Sequence, residues 1–271
     1  MRLSELGEFG LLAELEQRGL VAGIEHDAAV VDGLVVTQDA LVEGVHFRLD
    51  WISWRDLGFR AAAVSLSDLA ASGAEPRGLI TSLGAPGSTR AEDVFELYEG
   101  IAETGVSVLG GDTTRADALV LSVSALGRSE RVPGRAGARP GDHLVVTGPL
   151  GAAAVAFREH RFARPPLRLD EGRRLAQYAT AMIDISDGLA QDAGHIAGRS
   201  GVQCVIELER VPLAEGASTD DLGFGEDFEL LAAVPRGMGR DYEIGRCRPG
   251  EGVELRLTGR LVELSGWDHF R

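Results

Sequence analysis

Val108-Leu109-Gly110-Gly111-Asp112-Thr113-Thr114 is the stretch on which the reading of the first half of the chain turns. Its apolar lead-in, Val106 to Leu109, predicts a short buried strand running into a turn. The two glycines let the backbone turn sharply and approach a ligand closely. A carboxylate and two hydroxyls follow at once. That order suits a loop that offers main-chain N–H groups to phosphate while Asp112 holds a divalent metal. It also suits a plain strand-end turn with Asp and Thr as turn formers. Similar acidic turns recur along the chain, and the recurrence favours the first reading.

Working outward, Leu3 to Arg18 reads as a short amphipathic helix closed by Gly19. Gly23 to Val31 is a polar cluster opening a strand, a second strand runs Leu34–Gln38, and Asp32-Gly33 between them is a hairpin turn signal. Asp27 and Asp39 then sit at the outer ends of the hairpin, as metal ligands or as solvated end residues. Ser53 to Ala71 carries a strong helix signal, with Ser53 as N-cap and Leu57, Ala61, Val64 and Leu66 as apolar stripe. Asp68 falls near its end, against the helix dipole, which costs a few tenths to about 1 kcal/mol and hints at a purpose. Strand 78–85, helix 89–103 and strand 119–126 complete an α+β half with helices on one face of a mixed sheet.

Residues 128–142 are rich in Pro, Gly and Arg and lose periodicity, so the domain boundary is placed there: 1–130 and 140–271. Arg135 and Arg139 are linker charges or phosphate contacts. The second half, also α+β, repeats the opening logic at Asp184-Ile185-Ser186-Asp187-Gly188, where an apolar strand meets an acidic turn and a helix. Gly225-Glu226-Asp227-Phe228-Glu229 begins a further strand with acids at its mouth. His46, between apolar neighbours, reads as a partly buried side chain. Trp267, near the terminus, is either packed or binds something flat.

The net charge of −15 excludes a broad nucleic-acid surface, and an acidic protein handling phosphates needs metal ions. Every basic residue is Arg and none is Lys. That excludes a P-loop, a protein-kinase catalytic lysine and Schiff-base chemistry on lysine. Cys204 and Cys247 are too few for a disulfide framework. No apolar run reaches the roughly 18 residues of a membrane span and no signal-peptide pattern opens the chain, so a cytoplasmic protein without a membrane partner is expected.

Separated motifs in order along nearly the whole chain resemble the thiamine-monophosphate kinase family of the aminoimidazole ribonucleotide synthetase-like superfamily. They are His26-Asp27-Ala28-Ala29-Val30, Thr37-Gln38-Asp39-Ala40-Leu41-Val42-Glu43-Gly44-Val45-His46-Phe47, Ser67-Asp68-Leu69-Ala70-Ala71-Ser72-Gly73, Gly110-Gly111-Asp112-Thr113-Thr114, Asp184-Ile185-Ser186-Asp187-Gly188-Leu189, Gly225-Glu226-Asp227-Phe228-Glu229 and Trp267-Asp268-His269-Phe270.

The resemblance implies transfer of the γ-phosphate of ATP to thiamine monophosphate with Mg²⁺, in a homodimer whose N-terminal sheets join into a shared barrel. It implies Asp27, Thr37, Gln38, Asp39, Asp68, Asp112, Asp184 and Asp187 as metal ligands, with Asp112 and Asp187 at the chemistry. Tyr98, Gly111, Asp112, Arg135 and Ser186 would hold ATP; His46, Glu226 and Trp267 would touch the thiamine part. The chain departs from the family at His26, where an acid is usual, at Gln38, where Thr is usual, and at Ser65, where Asn is usual. Other ATP-using members of the superfamily, or a non-catalytic nucleotide-binding scaffold, are the alternatives.

Overall fold

The computed structural model describes residues 2–21, 26–238 and 242–267. Its N-terminal helical segment breaks at Gly7 (φ 75°) into α1 (Leu3–Leu6) and α2 (Glu8–Gln17). Asp32 and Gly33 both take positive φ, as a two-residue hairpin requires, and join β1 (Ala29–Val31) to β2 (Leu34–Val42). After α3 (Trp54–Ala71), β3 (Glu75–Ala85), α4 (Ala91–Ala102), β4 (Val108–Arg115) and β5 (Val120–Arg128) complete a five-stranded sheet of order β1-β2-β5-β3-β4. Only the β3–β4 pair is parallel, because α4 crosses between them.

The second sheet has seven strands in the order β12-β11-β8-β10-β6-β9-β7. They are β6 (His143–Val146), β7 (Ala181–Asp184), β8 (Gln203–Glu207), β9 (Leu230–Val234), β10 (Tyr242–Arg248), β11 (Gly252–Leu257) and β12 (Arg260–Val262). Helices α5 (Ala152–Arg158), α6 (Leu169–Ala176) and α7 (Leu189–Ser200) lie among them in sequence. The protein is thus a mixed α+β fold with two sheets.

Helix α3 ties the two sheets together. Ser53 caps it, its hydroxyl accepting from the Asp56 N–H at 3.1 Å. Leu57, Ala61, Leu66 and Leu69 belong to a core cluster with Leu79, Leu121 and Val123 of the first sheet and Leu97 and Ile101 of α4. Ala70 and Ala71 join a different cluster, with Val145, Leu175 and Leu230 of the second half. A helix apolar nearly all round is a buried helix, and this one lies between the halves.

Two expectations change here. Asp39 does not follow a strand end: β2 continues to Val42, so Asp39 lies inside it, level with Val123 of β5. Nor do Gly110 to Thr114 form a turn after a buried strand. They are part of β4, an edge strand exposed over most of its length. Gly111 therefore serves close packing, not reversal: a Cβ there would lie 1.8 Å from the Thr81 carbonyl oxygen, whereas one on Gly110 would meet nothing within 4 Å.

Candidate functional site

Successive side chains of β2 alternate between the faces of the sheet. Thr37 and Asp39 therefore point towards α3, whereas Gln38 points away and accepts a hydrogen bond from Ser124 at 2.9 Å. The Thr37 hydroxyl donates to Asp68, carried late on α3. One residue earlier, Ser67 donates to Asp184 at the end of β7 at 2.6 Å. Asp27, just before β1, takes both Nε (2.8 Å) and Nη2 (2.7 Å) of Arg135 on one carboxylate oxygen. Asp27, Asp39, Asp68, Asp184 and Asp187 consequently share one cavity of about 670 Å³, drawn from both halves of the chain.

The acidic turn after β7 is held from two sides. The Ile185 N–H donates to the Glu229 carbonyl at 2.8 Å, and the Phe228 and Glu226 N–H groups donate to the Ile185 and Ser186 carbonyls at 2.9 and 2.8 Å. Glu226 and Phe228 both take positive φ (58° and 52°), a strained conformation for side-chain-bearing residues that clusters at functional sites. The Trp267 N–H donates to the Asp187 carbonyl at 3.0 Å, which brings the C-terminal motif to the same turn. Residues 225–229 are therefore not a strand mouth but a loop laid against 185–186, and β9 starts only at Leu230.

Charge accumulates at this end. Burial pushes the Asp184 carboxyl up to about 8, with Asp27 and Asp39 adding repulsion. Burial raises Asp68 well above the usual carboxylate range, reinforced by Asp39, Asp184 and Asp27. Asp27 and Asp39 are raised by burial as well. Asp27 Oδ2 and Asp39 Oδ2 are buried with no hydrogen-bond partner among the described residues. Orphaned anionic oxygens beside further carboxylates fit a hard, oxygen-seeking cation such as Mg²⁺.

The opposite end is aromatic. Trp51 stacks on His160 (centroids 4.8 Å, planes 19° apart), with Phe157 edge-on at 5.4 Å and Phe162 at 6.0 Å. Arg60, Glu226, His46 and the half-exposed Trp267 border the same space. His46 accepts the Val42 N–H on Nδ1 at 3.1 Å. A flat ring and a charged tail can thus lie in one cavity, each against matching chemistry.

Four of the expected residues, Thr37, Tyr98, Gly111 and Asp112, stand outside its lining, and Thr37 reaches it only through Asp68. Tyr98 meets Thr81 at 3.0 Å between their hydroxyls, and Gly111 pairs with Thr81 on the other side, so these two do converge. Asp112 pairs with Ser82 and is exposed, on the sheet face turned from α3. Gln38 borders the cavity, but its carboxamide is committed to Ser124 on that same far face. Ser186 and Arg135 line the cavity. Asp268 to Phe270, quoted above within a motif, lie outside the described residues.

Sequence reading missed Asp192 and His195. Among the described residues, only Asp187, Asp192 and His195 bring three potential donor atoms within 4.8 Å of one another. The i, i+3 spacing of Asp192 and His195 on a helix that starts after an acidic turn was the available signal. Burial, with Arg135 and Arg199 nearby, lowers His195 to about 4, so the ring is neutral at pH 7. Arg60, Trp51, Phe157 and Phe162 were also missed, because their meeting depends on tertiary packing alone.

The N-terminal domain of AIR synthase related proteins matches residues 25–129. Thiamine-monophosphate kinase of Aquifex aeolicus is 34% identical over 309 aligned positions that cover 100% of both chains. That of Methanopyrus kandleri is 36% identical over 264, covering 86% of this chain and 85% of its own. The solved complex of AaThiL with AMPPCP and TMP is 34% identical with a TM-score of 0.89, covering 99% of each chain. HypE in its complex with HypF shares the fold at 20% identity and a TM-score of 0.79. No helix among the described residues is long and apolar enough to cross a membrane.

Proposed function

The chain belongs to the thiamine-monophosphate kinase family, and we propose that it transfers the γ-phosphate of ATP directly to thiamine monophosphate in the cytoplasm. In that reaction a terminal oxygen of the monophosphate forms a bond to the γ-phosphorus. The bond from that phosphorus to the β–γ bridging oxygen breaks, leaving thiamine diphosphate and ADP. The observation that carries this reading is the cavity itself, with buried unpaired carboxylate oxygens at one end and an aromatic wall at the other.

Two like unit charges about 4 Å apart repel by about 4 kcal/mol at an effective dielectric near 20. Mg²⁺, when bound, supplies the positive charge that offsets such repulsion between two phosphates. Asp27, Asp39, Asp68, Asp184 and Asp187 would hold it, and Thr37 orients Asp68 through its hydroxyl. Gln38 would contribute through its backbone. Ser186 and Arg135 would face the nucleotide; His46, Glu226 and Trp267 would face the thiamine part. With alignment and electrostatics supplied in this way, the protein needs no covalent intermediate.

Tyr98, Gly111 and Asp112 fit a nucleotide and metal role in a homodimer. Ile80 and Leu109, 42% and 64% exposed, accompany Asp112 along the uncovered edge of the first sheet. A second copy against that face would cover an unpaired strand edge and bring Asp112 under cover. In this reading residues 1–130 form the metal, ATP and dimerisation domain and 140–271 complete the cleft.

The test is ADP formation by the purified chain. Release should require both Mg²⁺ and thiamine monophosphate, and thiamine diphosphate should accumulate one for one with ADP. ATP binding without any turnover dependent on thiamine monophosphate would reject the reading. Light scattering should give twice the chain mass; a monomer would reject the dimer.

A further inference from the structure

Three arginines, Arg48, Arg60 and Arg135, border the cavity. Arg48 is taken up by Asp50 through Nε (3.0 Å) and Nη2 (2.8 Å). Arg135 is taken up by Asp27 through the same two atoms. Arg60 differs from both. It is 2% exposed, and its one hydrogen-bonded partner among the described residues is Glu226, which accepts from Nη2. Its Nε–H is buried with no acceptor among the described residues.

A buried guanidinium with an unmet donor needs an explanation, because native structures pair nearly all such groups. Its surroundings do not provide one. The ring faces of Phe162 and Phe228 lie 5.3 and 5.8 Å from its central carbon, and neither offers an in-plane acceptor. Those rings, with Glu226, hold the guanidinium plane in place at the junction of the aromatic and acidic ends. Glu226 in turn is anchored through its N–H to Ser186, next to Asp187. The free donors therefore stand beside the turn from which Asp187 projects.

We propose that Arg60 binds the phosphate of the acceptor monophosphate, its unengaged N–H groups closing on phosphate oxygens while Glu226 retains Nη2. This rests on the phosphoryl-transfer reading above and deepens it by naming the residue that places the attacking phosphate. A planar fork of donors matches two oxygens of a phosphate monoester. In a cavity lined by carboxylates, a fixed cation also draws an anionic group in. The acceptor is favoured over the nucleotide because Arg60 stands with Phe162, which packs on Trp51, on the side fit for a flat heterocycle.

The experiment compares wild type with Arg60→Lys and Arg60→Met, using the full chain with Mg²⁺ and a non-hydrolysable ATP analogue. Dissociation constants for thiamine monophosphate and for unphosphorylated thiamine are measured side by side by calorimetry. Arg60→Lys keeps the charge and loses the fork, so it serves even where Arg60→Met fails to fold. The expected result is at least a tenfold loss of affinity for the monophosphate, with thiamine and nucleotide affinities changed less than twofold. An equal loss for thiamine and its monophosphate would reduce Arg60 to a prop for Glu226 and overturn the proposal. Unchanged monophosphate affinity would overturn it too. A wild-type chain that binds nucleotide but neither thiamine form would reject the functional reading itself.

Discussion

Ser67 on α3 donates its hydroxyl to Asp184 at the end of β7 across 2.6 Å, and so joins the two halves of the chain at the floor of the cavity. The bond favours the charged form of a carboxylate that burial holds at about 8. Ser67→Ala removes the donor and leaves the carboxylate buried. The expected loss is about 1–3 kcal/mol of unfolding free energy. It should be larger at pH 9 than at pH 6, because Asp184 is then ionised and needs the donor most. Urea denaturation at the two pH values reads this directly, and equal losses at both would contradict it.

The carboxylates of the cavity repel one another, so a cation should stabilise the fold by linkage. At 100 times its dissociation constant a single-site ligand contributes about 2.7 kcal/mol. For a chain of this size that corresponds to a rise of roughly 5–10 °C in melting temperature. Asp39→Asn removes one of the raised, partly orphaned carboxylates. Its melting temperature without Mg²⁺ should equal or exceed that of the wild type, and most of the rise with Mg²⁺ should vanish. A variant that still gains the full increment would take Asp39 out of the metal site. The readout is a pair of thermal melts, with and without chelator, and needs no turnover.

How far the sequence led depended on whether a feature was local. Ser53 as helix cap and Asp32-Gly33 as hairpin were legible because capping and turn chemistry act over a few residues. The gathering of Asp27, Asp39, Asp68 and Asp184 followed from the motifs, yet no periodicity states that α3 is the shared wall. The placing of Asp112 could not be read, since a glycine pair signals a turn and a tight strand contact equally well. Arg60 gave no signal at all: its partner lies 166 residues away. Strand β10 went unread too, its Tyr242–Arg248 run being only weakly alternating.

Glycines within helices show the same limit in the packing. Gly58 on α3 and Gly100 on α4 would be counted from sequence as weak helix positions. In the fold they are where the two helices touch backbone to backbone. A Cβ on Gly58 would meet the Leu97 carbonyl oxygen at 1.8 Å, and one on Gly100 the Arg55 carbonyl oxygen at 1.8 Å. Helix propensity alone predicts that Gly→Ala stabilises by up to about 1 kcal/mol. The close approach predicts the reverse: Gly58→Ala and Gly100→Ala should each lose about 1–3 kcal/mol or more. Chemical denaturation decides the sign.

Asp227 offers a test of buried charge away from the metal-facing acids. It is 6% exposed, accepts the Gly151 N–H on Oδ1 at 2.8 Å, and leaves Oδ2 without a partner among the described residues. Burial pushes its carboxyl up to about 7, although N–H groups of Gly151, Ala153 and Ala152 at the start of α5 pull the other way. The folded protein therefore holds a proton that the unfolded chain, with an ordinary carboxylate near 4, releases earlier. The associated stability is present below pH 4 and is lost as pH rises from about 4 to about 7. Asn keeps the Oδ1 acceptor and cannot ionise. Asp227→Asn should accordingly be near neutral or mildly destabilising at pH 5 and stabilising at pH 8.5. The difference between the two should be on the order of 2–4 kcal/mol, since each tenfold change in proton affinity is worth about 1.4 kcal/mol. Unfolding curves that place the variant below the wild type by the same margin at both pH values would show that the α5 cap uses the ionised carboxylate after all.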